Sequence, residues 1–546
     1  MPSRTSDELR LTRHNWYAYS QGQKTQRGAL MKHWRRSKIA TVLATVSGLA
    51  AALTGGGVFS AAPSGASTKT FVIADTSSVQ KIDPDIVTNF LDFEALGLIY
   101  QPLVQMSPQL VIKPDLATKW TWTHNGLVLN LQLRHGVRFD NGTLFTSRDA
   151  VASLKRAVAA KTADPSASFI GSVKSFVENG PYAIRLTLSH RDASVLEGLT
   201  TLNMAMMPAS AIANGSIAKH PDGTGPFEFS AWSPGNSFTM VANPHYWGGK
   251  VKLPSVKIIT IASEQSIAAA LEAGTIQMGD LTQPTVVSSL PKSIKISKAL
   301  SLSYRVLQMQ DNQPNSPLDN VNNRLAIECA TNRKQIIADA LSGQGQPSGP
   351  VPLGPFASRP VSAICPTQNL AKAKAYLAAA GNPNGFSFTA MTSDALDSTS
   401  AAQATTLQAQ LAQVGITMTI NNLDSNSYIQ DWLAGKFQAA FAENGADPNP
   451  YVMYDRYFGA GADLKVPAGY VNPTIQKLLA AGDLATTLGA QKAAWARVSN
   501  FLTSHAVWDW LFDAYNFEAM APNVKGFTAS PVTSGAFAAL ATTHLS

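Results

Sequence analysis

Only two cysteines, Cys329 and Cys365, occur in 546 residues, and charged side chains make up 14% of the chain. So little cysteine excludes a disulfide-dense mini-scaffold, and so little charge excludes a chain kept unfolded by its own repulsion. Histidine is sparse as well: nine residues, with no two spaced four apart to clasp a metal from one helix. HExxH, CxxC, GxxxxGK[ST] and G-x-S-x-G are all missing, which removes the local signatures of zinc hydrolases, dithiol redox proteins, P-loop enzymes and serine hydrolases. A site assembled from distant residues escapes such a scan. The single Gly-x-Gly of interest, in "FGAGAD", follows Tyr457 in a polar loop and reads as a turn.

Basic charge is present, but in one place. The formal net charge is +8, and residues 1–66 hold nine Lys or Arg against two acidic residues, leaving 34 basic and 33 acidic in the remainder. A near-neutral body gives no electrostatic footprint for nucleic acid. The leader reads as an export signal. "MKHWRRSK" precedes the apolar run Ile39–Leu53, and small residues suited to a signal peptidase follow at Ser64-Gly65-Ala66. The run is short for a membrane span, so cleavage near Ser67 is expected, with an uncleaved anchor as the alternative. Residues 1–30 form a polar, unpatterned upstream extension, which makes Met31 the expected start. No cysteine ends the apolar run, so a lipoprotein anchor is not expected. In an exported chain Cys329 and Cys365 either pair or sit as separate buried thiols.

Length predicts two or three lobes. The first half is rich in hairpin signals: Asn125-Gly126 joins a Trp-containing strand to the alternating run Leu127–Leu133, and Ser-Pro-Gly-Asn joins Phe227–Trp232 to Ser237–Asn243. Thr146 with Asp149 resembles a capping box, and Ser263 caps a short helix closed by Gly274. In the second half, strand Leu302–Gln310, a helix through "LAIECATNRKQIIADAL" and then alternating strands and helices predict an α/β lobe with a largely parallel sheet. The strand "VWDWLFDAY" closes the series.

Three features stand out. Trp508, Trp510 and Tyr515 on that last strand read first as core. Arg324 and Arg333 read as solvated or ion-paired structural residues. Glu443 and Asp447 in "FAENGADPNP" fall just beyond a strand end, where open parallel sheets bind ligands; the plainer reading is a solvated loop with an Asx-type turn.

The ordered segments resemble the dipeptide/oligopeptide-binding proteins of bacterial ABC importers, solute-binding family 5. The resemblance runs from about Phe71 to Phe527 and is carried by "VIKPDLATKWTWTHNGLVLNLQLRHGVRFDNGTLFTSRDAVASLKR", "GTGPFEFSAWSPGNSFTMVANPHYWGG", "NRLAIECATNRKQI", "NLAKAKAYLAAAGNPNGF" and "VKGF". It implies an α/β, two-lobed periplasmic-binding-protein-like fold of type II with an enlarged first lobe. Residues 67–303 would form the first lobe and 304–508 the second, with 509–546 returning to the first. Two crossing strands, about Leu302–Gln310 and Val507–Tyr515, would act as the hinge. It further implies a monomer, periplasmic or at the cell surface, that takes a short peptide or similar small solute. The loaded protein would meet an ABC permease and its ATPase subunits, with no cofactor, no metal, no nucleic acid and no reaction. The solute would meet Glu443, Asn444, Asp447, Gln308, Tyr304 and the turn Thr76, Ser77, Ser78. Glu443 matches the position where peptide binders of this family place an aspartate for the solute's α-ammonium, and Gln308 stands where many relatives carry Asn. A sugar, opine or metal chelate in the same fold, or a secreted carboxylate-dependent hydrolase, are the competing readings.

Overall fold

A computed structural model of the chain describes residues 70–546, apart from 314, 352, 353, 355, 358–361, 363, 446–448, 461, 463, 486, 533 and 534. The upstream stretch, the signal at 31–66 and Asp447 therefore lie outside the described residues.

An eleven-stranded sheet carries the architecture. Its order is Thr417–Asn422, Ser387–Thr392, Ala439–Asn444, Lys295–Met309, Trp508–Met520, Met278–Leu281, Phe71–Asp75, Ser255–Thr260, Ser237–Ala242 and Phe227–Ser233, with Gly345–Pro347 added on Trp508–Met520. Ser387–Thr392 runs parallel to both Thr417–Asn422 and Ala439–Asn444, as the alternating second half predicts. Phe71–Asp75 likewise lies parallel to its two neighbours. A separate four-stranded antiparallel sheet holds Ala117–Thr123, Val128–Leu133, Ala183–Leu188 and Val173–Glu178.

Local chemistry explains the element ends. The Ser147–Ala157 helix opens on the reciprocal Thr146–Asp149 capping box, and Glu264–Glu272 opens with Ser263 accepting from the Ser266 amide. The predicted single helix after the 302–310 strand is two helices, Val321–Ala330 and Arg333–Leu341. Asn332 breaks it, because its side chain accepts from the Gln335 amide and caps a new start. Cys329 and Cys365 are joined by a disulfide with Cα atoms 5.0 Å apart.

Several apolar clusters fill the molecule. Phe71, Ile73, Phe227, Phe238 and Met240 share one with Val524, Phe537 and Leu540, so the C-terminal tail packs back on the first strand. Leu129, Leu131, Phe145 and Leu186 form another beside the four-stranded sheet. The later segments build two more, around Leu307, Met309, Phe441 and Phe512 on one sheet face and around Tyr304, Val306, Trp508 and Trp510 on the other.

Two long strands connect these regions: Lys295–Met309, fifteen residues, and Trp508–Met520, thirteen residues. Trp508–Met520 places Phe517 and Ala519 in a further cluster with Ala74, Leu271 and Leu281, and its other end in the two later clusters. Lys295–Met309 follows Ile294 of that further cluster and buries only its second half, from Tyr304 to Met309, in the later ones. Their mutual register breaks between Leu300 and Tyr304, leaving Ser301-Leu302-Ser303 out of the ladder. Both strands extend further than the sequence signals, one starting at Lys295 and the other running on to Met520. The added stretches pair through main chain, and "KISKAL" shows no apolar alternation to announce it. Among the described residues, no helix is long and apolar enough to cross a membrane.

Candidate functional site

The Ala439–Asn444 strand lies antiparallel to Lys295–Met309, with Arg305 opposite Glu443 and Tyr304 opposite Asn444. Because strand side chains alternate, these neighbours face opposite sides of the sheet. Tyr304, Gln308 and Asn444 share the Trp508 side, and all three are buried. There the Trp432 indole N–H donates to Gln308 Oε1 at 2.5 Å and the Tyr457 hydroxyl donates to Asn444 Oδ1 at 2.9 Å. Gln308 Nε2 and Asn444 Nδ2 have no hydrogen-bond partner among the described residues.

On the other side Glu443 joins a triad. Arg305 Nη2 stands 3.0 Å from Glu443 Oε2, and Arg305 Nε stands 3.5 Å from Asp397 Oδ2. Asp397 also accepts from the Thr399 amide and hydroxyl and from Gln403 Nε2. Burial pushes Asp397 up, but Arg305 and the Thr399 bonds pull harder, and its carboxyl titrates below the ordinary value. Desolvation dominates at Glu443 and raises it, against the pull of Arg305. One guanidinium thus serves two carboxylates, and the triad keeps a net negative charge with Glu443 as its exposed end: 37% of that side chain meets solvent, against 13% for Asp397. Sequence reasoning does not single out Arg305 and Asp397. The alternation that marks a strand says nothing of a pairing with a loop residue 92 positions away.

The turn after the first strand is ordered by Asp75, whose Oδ1 accepts from the Ser77 amide at 2.5 Å and the Ser77 hydroxyl at 2.7 Å. Thr76 and Ser77 are exposed and Ser78 is half-buried, its Oγ accepting from Gln80 Nε2. Oxygens of Asp75, Glu94 and Asp280 lie within 4.8 Å of one another. Burial first, then mutual repulsion, holds Glu94 and Asp280 well above the ordinary carboxylate range.

The remaining marked residues are structural. Trp508 and Trp510 are core. Tyr515 is half-buried, with Lys298 Nζ 4.2 Å from its ring centre. Arg333 pairs with Asp509 inside the molecule. Arg324 is not solvated, and among the described residues it forms no ion pair: its guanidinium is buried and donates to the Ala506, Leu318, Asp319 and His505 carbonyls. In the Gly-Thr-Gly-Pro stretch, the Gly225 amide donates to the Ile99 carbonyl at 2.7 Å, so this segment is scaffold.

Residues 111–464 match the family described as bacterial extracellular solute-binding proteins, family 5 Middle. The chain belongs to this family. Its members are solute-binding transport proteins of ABC importers, and the two-lobed type II fold agrees with solved relatives. The chain is 26% identical to the probable D,D-dipeptide-binding periplasmic protein DdpA of Escherichia coli K12, over 85% of this chain and 92% of that one. Among solved structures it is similar to the periplasmic binding protein DppA of Helicobacter pylori in complex with the peptide STSA, at 25% identity and a TM-score of 0.65, covering 87% of this chain and 98% of that one. CtaP of Listeria monocytogenes, at 19% identity and a TM-score of 0.76 over 87% and 99% of the two chains, shares the fold.

Proposed function

We propose that this family 5 protein is exported, captures a short peptide between two lobes, leaves it chemically unchanged and presents it to an ABC permease with its ATPase subunits. The carrying observation is the pair of long strands that run side by side from the cluster of Ile294, Phe517 and Ala519 to the later cores and break register at Ser301-Leu302-Ser303. Such a join absorbs dihedral change over a few residues while both cores stay packed. DdpA and DppA, whose names or bound ligands are peptides, support the peptide reading.

In this reading Glu443, steadied by Arg305, offers its exposed carboxylate edge to a cationic group of the solute. Asn444 and Asp447 follow it on the same segment. Tyr304 and Gln308 shape the wall from behind, and Thr76, Ser77 and Ser78 contribute polar groups from the first lobe. Backbone groups of an extended peptide would take the remaining hydrogen bonds. A thermal-shift panel of short peptides, sugars, opines and metal chelates tests this. A ligand at one hundred times its Kd should add about 2.7 kcal/mol of stability. Stabilisation by peptides alone is expected, and stabilisation only by a non-peptide class overturns the reading.

A further inference from the structure

Three carboxylates stand side by side where the first apolar cluster ends. In the ladder Ile73 pairs with Met278 and Met278 with Met520, an apolar row across three strands. Two residues along, on the same sheet face, come Asp75, Asp280 and Glu518, with Asp280 and Glu518 directly opposite each other. Glu94 reaches the group from the Phe90–Leu96 helix, whose Leu91 and Ala95 pack on that face. Like charges directly opposite across a ladder are destabilising, so this arrangement costs the empty protein stability.

Among the described residues, no cation relieves it. The charges felt most at Glu94 and Asp280 are other carboxylates, all repulsive, and Asp280 offsets part of this by sharing a proton with Asp75 in a side-chain hydrogen bond. The two lysines of the adjoining strand are engaged elsewhere: Lys295 with the Pro522 and Val524 carbonyls, and Lys298 with Gln344 and the Tyr515 ring. Glu518 adds an independent sign. It is only 5% exposed, it projects from the strand beside Asp280, and its Oε2 has no hydrogen-bond partner among the described residues. Asp75, by contrast, is oriented by Ser77. Glu94 and Asp280 are half-buried, which leaves a way in from solvent. Asp75 ends its strand and Asp280 lies next to the end of its own, and these strands run parallel, so the group occupies the strand ends where open α/β sheets bind ligands.

We propose that the carboxylates of Asp75, Glu94, Asp280 and Glu518 form a subsite for a primary ammonium group of the solute. The inference rests on the reading that the chain captures a solute. A primary ammonium, with three N–H donors, suits carboxylate oxygens gathered within 4.8 Å of one another, and the metal titrations below separate it from a divalent cation, which also takes carboxylate oxygens. A solute with an additional amino group satisfies both this pocket and the net-negative Arg305 triad.

The test is calorimetric titration of the full protein with matched ligands: short peptides containing lysine and the same peptides with norleucine or acetyl-lysine, together with the non-peptide amines agmatine and spermidine. Ca²⁺, Mg²⁺ and Mn²⁺ are titrated alone. Lysine peptides should bind at least about 10-fold more tightly than their neutral counterparts, the usual scale of a charge-assisted bond. Asp280→Asn and Glu518→Gln should each shrink that ratio towards one while keeping affinity for the neutral peptide. Binding confined to non-peptide amines, lost in Asp280→Asn, supports the subsite and sinks the peptide reading. Equal affinity for charged and neutral peptides overturns the subsite and leaves the peptide reading standing. Failure of every amine to bind, or micromolar binding of a metal that Asp280→Asn abolishes, overturns it as well.

Discussion

Glu443→Gln separates the carboxylate's service to the fold from its service to a ligand. In the free protein the change removes one end of a triad, not its centre: Arg305 keeps Asp397 at 3.5 Å, and Glu443 was already more than a third exposed. Solvent screening limits such a pair to about 1 kcal/mol or less, so urea denaturation should show a loss of that size at most. Arg305→Gln is the control. It leaves Asp397 and Glu443 facing each other without a cation. Removing one partner of a buried pair costs about 3–5 kcal/mol, and the bonds that Asp397 keeps from Thr399 and Gln403 bring the expectation to about 2–3 kcal/mol. Ligand binding should reverse the ranking of Glu443→Gln. A charge-assisted hydrogen bond contributes about 1.5–3 kcal/mol; with Arg305 already offsetting part of the charge, the lower half applies, and Kd should rise about 10- to 30-fold for the best short peptide by calorimetry. Affinity within twofold of wild type would remove Glu443 from the solute's contacts. A stability loss equal to that of Arg305→Gln would show that the triad is read wrongly.

Reducing the Cys329–Cys365 disulfide frees a loop spanning 36 positions, and the chain-entropy relation assigns it about 4 kcal/mol; melting with and without a phosphine reductant should show the drop, and two maleimide-reactive thiols in the unreduced, unfolded protein would contradict the pairing. Burial raises Glu518 to about 8, so its protonated form is the one the fold favours: this contribution is complete below the unfolded value near 4 and fades as pH rises towards 8. Glu518→Gln should therefore raise the melting temperature of the ligand-free protein at pH 8 and leave it nearly unchanged at pH 4, and an unchanged pH profile would refute the assignment. A Cβ at Gly225 would collide with the Leu98 carbonyl oxygen, so Gly225→Ala should destabilise by about 2 kcal/mol or more through forced backbone shift while any protein that folds keeps wild-type peptide affinity; a neutral effect on melting would show that this crossing gives way.

Hairpins and capped helices were legible because their signals are local. Thr146–Asp149, Ser263 and the turn between the 227–233 and 237–242 strands each announce themselves within a few residues. The parallel second half was legible from strand–helix alternation. What stayed hidden depends on partners far along the chain. The length of the two long strands comes from mutual main-chain pairing, the burial of Arg324 from four carbonyls, two of them more than 180 residues away, and the Arg305 triad from a loop. The four-carboxylate group is the extreme case, since its members come from three strands and a helix spread from Asp75 to Glu518. Nothing within any one segment distinguishes those acids from solvated ones, whereas the cap that Asn332 supplies lies within three residues of the amide it serves.

The central claim, capture without conversion, is tested most directly by native mass spectrometry of the exported protein mixed with an equimolar set of two- to five-residue peptides. A 1:1 complex is expected, its released ligand keeping the mass of an intact peptide after hours of incubation, with no shortened products in solution. Peptide fragments accumulating over time, or a protein that stays empty with every peptide while binding another class of solute, would contradict it.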